Sequence, residues 1–509
     1  MKEKGLKFKD KTGRYYQFGA LAVAILMVSS IAIGSLVITE DGSYDTNFDN
    51  QYINGDTADY IVSIDGSTYY ARYGSNGTFF NSNTDFSMVM QSCIDDFAYE
   101  VGGKIYIKPG NYTVENTIEL SKARAGEDGA GDWTSIIIQG SGTKSTELKM
   151  ANGANCNMFN FTIDIDGAIG SDGFKILRDM KLSGNKAYNT KGHGIYRKVI
   201  NNGQMYDMDL ETLFIDRFAE DGIHLEDCWG IHIENVYSEN NGLSGFNISS
   251  GTQSSLINCF AYLNDGEGFI IHGNNIKLSN CQANNNGGDG FKVNYELNEL
   301  NNCYSNGNSG NGLNVSDSKN IITNFHSYMD NGNGIFVDDS ENVISNVYCI
   351  YPGKNGIHIN DGLGHVLSNV IVRYWGRTSV STYSAVKVSA SYALINNLAM
   401  IGYNNESSYR GLSLEATYAR VSNVREYGSD DVGIYVSGTD SMISQTSLTN
   451  GIDDSASRTI IDGVSYNAGV PGSAGNWASS TVEGVMVWDT VNSDLYLYCN
   501  STWNQITLT

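Results

Sequence analysis

A glycine recurs at an almost fixed interval through the middle of this chain: Gly222, Gly245, Gly268, Gly290, Gly312, Gly334 and Gly356, separated by 23, 23, 22, 22, 22 and 22 residues. Each is followed by apolar residues at +1 and +3: Ile223/Leu225, Phe246/Ile248, Phe269/Ile271, Phe291/Val293, Leu313/Val315, Ile335/Val337 and Ile357/Ile359. Alternation of period two means a short strand with one face buried. The register continues more loosely through Ala385, Gly411 and Gly433, with an earlier member at Gly194. A second column keeps the same step: Asn235, Asn258, Asn280, Asn302, Asn324, Asn346 and Asn369, each followed by Val, Cys or Phe.

A 22-residue unit of such short strands cannot bury its apolar face alone. Stacked on copies of itself about 4.8 Å away, it can, through parallel ladders and columns of like side chains. The pattern therefore predicts an all-β chain of stacked coils. An asparagine at a coil corner tolerates left-handed backbone and can bond the same amide one coil away. Cys259, Cys281 and Cys303 share the 22-residue step and read as an inward stack of small apolar residues.

Composition agrees. The 509 residues exceed one ordinary core, yet there are only 3 prolines to mark linkers, and 57 glycines with 17% charged residues describe a chain that turns often. The net charge of -24 excludes a nucleic-acid partner, which would need a basic stripe. Acidic polysaccharides would need local basic patches or bridging cations. The eight cysteines form no CxxC pair, which argues against a structural zinc site and leaves the disulfide state open.

Residues 15–39 contain no charge, and the apolar run 19–38 is long enough to cross a bilayer core of about 30 Å. Lys2, Lys4, Lys7, Lys9, Lys11 and Arg14 precede it, whereas residues 40–71 contain no Lys or Arg. The positive-inside bias predicts a cytoplasmic basic tail (1–14), a single-pass transmembrane anchor (15–39) and an extracellular body. A cleaved secretory signal or a pilin-like leader cut near Gly13 would export the body equally. Export makes sequons such as Asn76, Asn111 and Asn314 potential glycan sites.

With the register in place, the chain resembles the pectin-lyase-like superfamily of right-handed parallel β-helices over roughly residues 60–450. The stretch DFSMVMQSCIDDFAYEVGGKIYIKPGNYTVENTIEL, followed by IIIQGSGTKSTEL, looks like the opening of the rhamnogalacturonase/epimerase-like pectate-lyase segment. The resemblance implies a short helix over 88–99 capping the open end of the coil stack, then a strand over 102–112. The expected organisation is a linker with first strands (40–84), a right-handed parallel β-helix with its capping helix (85–450), a linker (451–480) and a small C-terminal β-meander (481–509). The last resembles modules on phage and viral fibre proteins.

In this superfamily glycan sites lie along the outward face of one stack of strands. The outward +2 column reads His224, Asn247, Ile270, Lys292, Asn314, Phe336, His358 and Lys387, and the +4 column begins Glu226, Ser249, His272. Candidate catalytic residues are Asp216, Asp221, His224, Glu226 and Asp227, since carboxylates and an imidazole supply the acid and base of glycosidic cleavage or β-elimination. Candidate glycan-binding residues are His272, Lys292 and His358. Carboxylate pairs also suit calcium, as in many pectate lyases. Gly192-His193-Gly194 resembles the GHG of polygalacturonases, but the accompanying motifs are missing and His193 fills a turn slot occupied elsewhere by Asp221, Ser244, Glu267 and Asn311.

Three functions follow: a surface protein that binds polysaccharide or surface glycans, a membrane-anchored polysaccharide lyase or glycoside hydrolase, and a phage-like spike acting on host glycans as a homotrimer. The missing family motifs favour the first.

Overall fold

A computed structural model describes residues 58–98, 101–120, 134–161, 174–197, 208–378, 383–402, 410–429 and 431–449 throughout, with short strands outside those ranges. The chain divides into two compact units, residues 1–57 and 58–509. In the first, Lys7–Lys9 pairs antiparallel with Tyr15–Gln17. The second of these strands covers the first three residues of the expected membrane span. The rest of it, residues 18–39, lies outside the described residues, among which no helix is long and apolar enough to cross a membrane.

The second unit is the parallel β-helix. Fourteen three-to-five-residue or shorter strands, from Ile118–Glu119 through Ile223–Leu225 to Ile452–Asp454, form one parallel sheet. Its pairings place Ile223 beside Phe246, Phe269, Phe291, Leu313, Ile335 and Ile357 in turn, each one coil further on. From Gly222 to Gly356, residues at +1 and +3 from the register position are buried, whereas those at +2 are partly exposed. Phe246, Phe269 and Phe291 stack with ring centroids 4.6 and 4.8 Å apart, the coil spacing itself. Each coil then continues through a second parallel sheet, as in His232–Glu234 and Tyr237–Glu239.

The register glycines owe their place to close packing. A Cβ on Gly290 would lie 2.5 Å from Oγ of Ser305 and 2.6 Å from the carbonyl oxygen of Gly312. Gly268, Gly312 and Gly334 meet the same obstacle, the next register carbonyl at 2.6 Å. Where the coil loop lengthens, Ala385 takes the position.

The Asn column sits at the corner inside the second sheet, every member with φ between 53° and 56°. It extends through Asn397 and Asn423, and its exposed amides bond coil to coil, for example Nδ2 of Asn280 to Oδ1 of Asn258 at 3.2 Å. A second ladder, buried, is absent from the sequence reading: Asn241, Asn264, Asn286, Asn308 and Asp330. Each amide donates to the next member's Oδ1 at 2.9–3.0 Å, and each backbone N–H does the same at 2.9–3.1 Å. Cys259, Cys281 and Cys303 are buried in the core, and every cysteine with a described environment is free.

Helix α1 (Phe86–Asp96) closes the N-terminal end, starting two residues before the expected cap and ending sooner. Asp85 caps it, accepting from the Ser87 N–H at 2.8 Å. Its buried face of Phe86, Val89, Met90, Cys93 and Ile94 covers the first coils. Ser87 Oγ and Gln91 Oε1 accept N–H groups of residues 115, 116 and 119. The stack thus lacks a bare edge there. The single strand expected over 102–112 is two, Gly103–Ile107 and Gly110–Val114, because Pro109 offers no N–H to continue the ladder. At the other end, Ile452–Asp454 adds a further parallel strand and Thr459–Ile461 pairs with Val464–Asn467, inside the stretch expected to be linker. Met486–Asp489, Asp494–Cys499 and Thr502–Ile506 form the antiparallel meander.

Candidate functional site

The outward face of the 14-stranded sheet gathers one compact group of titratable side chains near its N-terminal third. Ile195–Arg197 pairs with Ile223–Leu225, which sets Tyr196 directly beside His224. The turn slot preceding each register glycine places His193 one coil below Asp221. Register alone therefore brings His193, Tyr196, Asp221 and His224 together.

Asp221 is the hub. Its side chain is 3% exposed, and its ion pairs among the described residues are to imidazoles alone. Oδ1 accepts the Ser244 N–H at 2.7 Å. Oδ2 accepts Nδ2 of Asn247 at 3.1 Å and lies 2.7 Å from Nδ1 of His224 and 3.6 Å from Nδ1 of His193. The Asp221 N–H donates to Nδ1 of His193 at 3.1 Å. Each imidazole shows its other nitrogen to a second carboxylate: Nε2 of His193 is 3.4 Å from Glu220, and Nε2 of His224 is 3.4 Å from Glu226. Glu220 is held in turn by the Gly192 N–H at 2.8 Å, and Ser249 Oγ lies 3.2 Å from Nε2 of His224. Tyr196 stacks on His193 with centroids 5.0 Å apart and is 5.4 Å from His224.

The two histidines are pushed in opposite directions. Burial takes His193 below the usual imidazole range, aided by the charge of His224 and opposed by Asp221. Burial also pulls on His224, but the hydrogen bonds and charges of Asp221 and Glu226 outweigh it and hold His224 above that range. The two imidazoles that share this carboxylate are thus held on opposite sides of the usual range, a division suited to acid–base work.

Of the catalytic candidates, Asp221, His224 and Glu226 stand in this group. Asp216 does not. It ends the strand Met208–Asp216 in the second sheet, where its buried carboxylate pairs with Arg217 at 2.9 Å and Lys181 at 3.4 Å. Asp227 is an exposed corner residue with φ 47° whose N–H donates to Ser250 Oγ at 2.7 Å. His193, set aside on motif grounds, does occupy the turn slot expected of it, yet its ring belongs to the group. The available signal was the register, which stacks it under Asp221.

The glycan-binding candidates lie further along the same face. His272 bonds Asn294, and Lys292 pairs with Glu267 at 3.3 Å. His358 packs edge-on against Phe336 at 5.3 Å, and burial beside Lys387 pushes it down to about 4. It stands six coils from His224, about 29 Å at about 4.8 Å per coil.

Calcium needs six to eight oxygen ligands. Among the candidate carboxylates, Asp216 Oδ2 pairs with Arg217 and Lys181, Asp227 is exposed at a separate corner, and Asp221 has imidazole and amide nitrogens beside it, so these three do not gather into an oxygen cage.

Residues 199–340 match the family described as the right-handed beta helix region. No curated protein sequence matches the chain. The fold is similar to the mannuronan C-5 epimerase AlgE4 A-module of Azotobacter vinelandii, at 17% identity over 74% of this chain and 93% of that one, with a TM-score of 0.42. It is similar to the pre-mature bacteriophage phi29 gene product 12, at 15% identity over 79% and 58%, with a TM-score of 0.49. The Agl-KA catalytic domain is 12% identical over 73% and 65%, with a TM-score of 0.47. At these identities the likeness concerns the fold alone.

Proposed function

With the right-handed, pectin-lyase-like parallel β-helix as premise, we propose that this chain is a surface-displayed polysaccharide-binding protein that grips glycan along the outward face of its 14-stranded sheet. The observation that carries the reading is the packing of Tyr196 on His193 at 5.0 Å, with His224 at 5.4 Å. A half-buried aromatic ring, two imidazoles and flanking carboxylates share one patch. A ring face takes the apolar side of a sugar while imidazole, amide and carboxylate groups take its hydroxyls. His272, Lys292 and His358 extend the contact along the same columns, as a long chain-like ligand requires. Display rests on the uncharged run 19–38 with its basic N-terminal flank. Protease added outside intact cells then removes the body; full protection of the body would refute display.

A second reading, cleavage of the bound glycan, is favoured by the bracketing of His224 between Asp221 at 2.7 Å and Glu226 at 3.4 Å. In that reading His224 gives a proton to the leaving oxygen and His193 takes one. Incubation with acidic and neutral polysaccharides separates the two. Retained polymer without new reducing ends or unsaturated products supports binding alone, whereas such products that vanish in His224→Asn support cleavage.

A further inference from the structure

We infer that His193, Asp221 and His224 form a binding site for a divalent transition-metal ion of the zinc or manganese class. This inference goes beyond the glycan reading and does not depend on it.

The three side chains each offer one ligand atom, and those atoms all lie within 4.8 Å of one another. At a tetrahedral ion two bonds of about 2.1 Å set ligand atoms about 3.4 Å apart, so the widest pair closes by up to roughly 1.4 Å on loading, through side-chain rotation. Two imidazoles with one carboxylate on one side of an ion leave further positions open, the arrangement expected of zinc, manganese or iron(II) rather than calcium.

The surroundings supply a second, independent argument. A metal-bound histidine is ordinarily oriented by a carboxylate on its other ring nitrogen. Both histidines here have that partner, Glu220 for His193 and Glu226 for His224, each at 3.4 Å. Glu220 is itself fixed by a backbone N–H. The carboxylate at the centre is nearly sealed from water, and among the described residues no Lys or Arg pairs with it. Apart from the two imidazoles, a metal cation would compensate that charge. The groups facing the point are complete in this respect: the Ser244 N–H holds Oδ1 of Asp221, Asn247 Nδ2 and Ser249 Oγ face His224, and the Asp221 N–H bonds Nδ1 of His193. Binding replaces that last bond with a metal bond to the same nitrogen. The His224 to Asp221 hydrogen bond opens likewise.

Such an ion keeps coordination positions that its three protein ligands do not fill. They can take hydroxyl or carboxylate oxygens, which provides the bridging cation that a chain of net charge -24 needs to hold an acidic glycan.

The register supplies substitutions that keep the fold. Asparagine fills the His193 slot in later coils (Asn311, Asn333, Asn355) and the His224 slot at Asn247 and Asn314. His193→Asn and His224→Asn therefore remove a ligand while retaining a residue each position already accepts. The full chain, stripped with a chelator, is titrated calorimetrically with Zn²⁺, Mn²⁺ and Ca²⁺, and with Co²⁺ followed by visible absorption. The inference predicts one equivalent of Zn²⁺ or Mn²⁺ per chain, d–d bands of a low-coordinate Co²⁺ site, and no competition from Ca²⁺. It predicts at least tenfold weaker binding in each Asn variant and a smaller loss in Glu220→Gln. No stoichiometric binding, unchanged affinity in both Asn variants with native circular dichroism, or Ca²⁺ binding as tight as Zn²⁺ would each overturn it. No glycan enters the experiment, so failure of the glycan reading leaves its outcome untouched.

Discussion

The Asp221 carboxylate lies 2.7 Å from Nδ1 of His224, and it comes from the turn that opens the very strand on which His224 stands. The contact is local in sequence, three residues apart, yet its chemistry is not. His193 reaches the same carboxylate from the preceding coil, so the site exists only when two coils are stacked in register. Whatever disturbs stacking there disturbs the site.

The register glycines are the first place to test stacking. Gly290→Ala puts a methyl group 2.6 Å from the Gly312 carbonyl oxygen. Overpacking of this kind costs roughly 1–3 kcal/mol. Urea unfolding followed by circular dichroism should show a lowered midpoint. Ala385→Gly, at a position that already holds a methyl, should lose only about 0.5–1 kcal/mol.

The two asparagine ladders should differ in worth. Asn286→Ala leaves the buried N–H and amide of Asn264 without the oxygen they share, at 3.1 and 3.0 Å, and each orphaned group costs about 1–3 kcal/mol. Asn280→Gly loses only exposed amide bonds and keeps a residue at ease with φ 56°, so its cost should stay below about 1 kcal/mol. Asn280→Ala should fall between them. The same urea titrations rank the three, and equal costs would contradict the distinction between buried and exposed ladders.

Asp330 ends the buried ladder and should give the fold a pH dependence. Burial pushes its carboxyl up to about 6 from 3.8, against hydrogen bonds from Ser327, Asn308 and Ser305. The folded chain therefore holds this proton more tightly than the unfolded chain. The group favours folding below about pH 4, and that contribution is lost as the pH rises toward 6 and beyond, by about 3 kcal/mol. Asp330→Asn, which repeats the ladder residue, removes the effect. Relative to the native chain the variant should gain stability between pH 4 and 7; parallel stability profiles would refute this.

Much of the fold was legible because a repeat is read many times over. Residues at +1 and +3 from Gly222 through Gly356 all turn inward as expected, since one misplaced residue would flip a whole strand's faces. The buried Asn241–Asp330 ladder was not legible, because an asparagine or aspartate followed by Gly, Asp, Ser or Asn looks like any turn residue until its coil neighbour is known. The site was half legible. Asp221, His224 and Glu226 cluster in sequence, so composition exposes them, whereas His193 is 28 residues from Asp221 and joins it only through stacking. Asp216 is the converse case: near in sequence, it stands on another sheet.

Binding of defined polysaccharides tests the central claim most directly. The native chain, Tyr196→Ala, His224→Asn and the corner variant Asn369→Gly are titrated against a panel of acidic and neutral polysaccharides at neutral pH. The account predicts that the native chain binds at least one of them, that Tyr196→Ala and His224→Asn each weaken it at least tenfold, about 1.4 kcal/mol, and that Asn369→Gly stays within twofold. Binding left unchanged by both site variants, or no binding by the native chain across the panel, would contradict it.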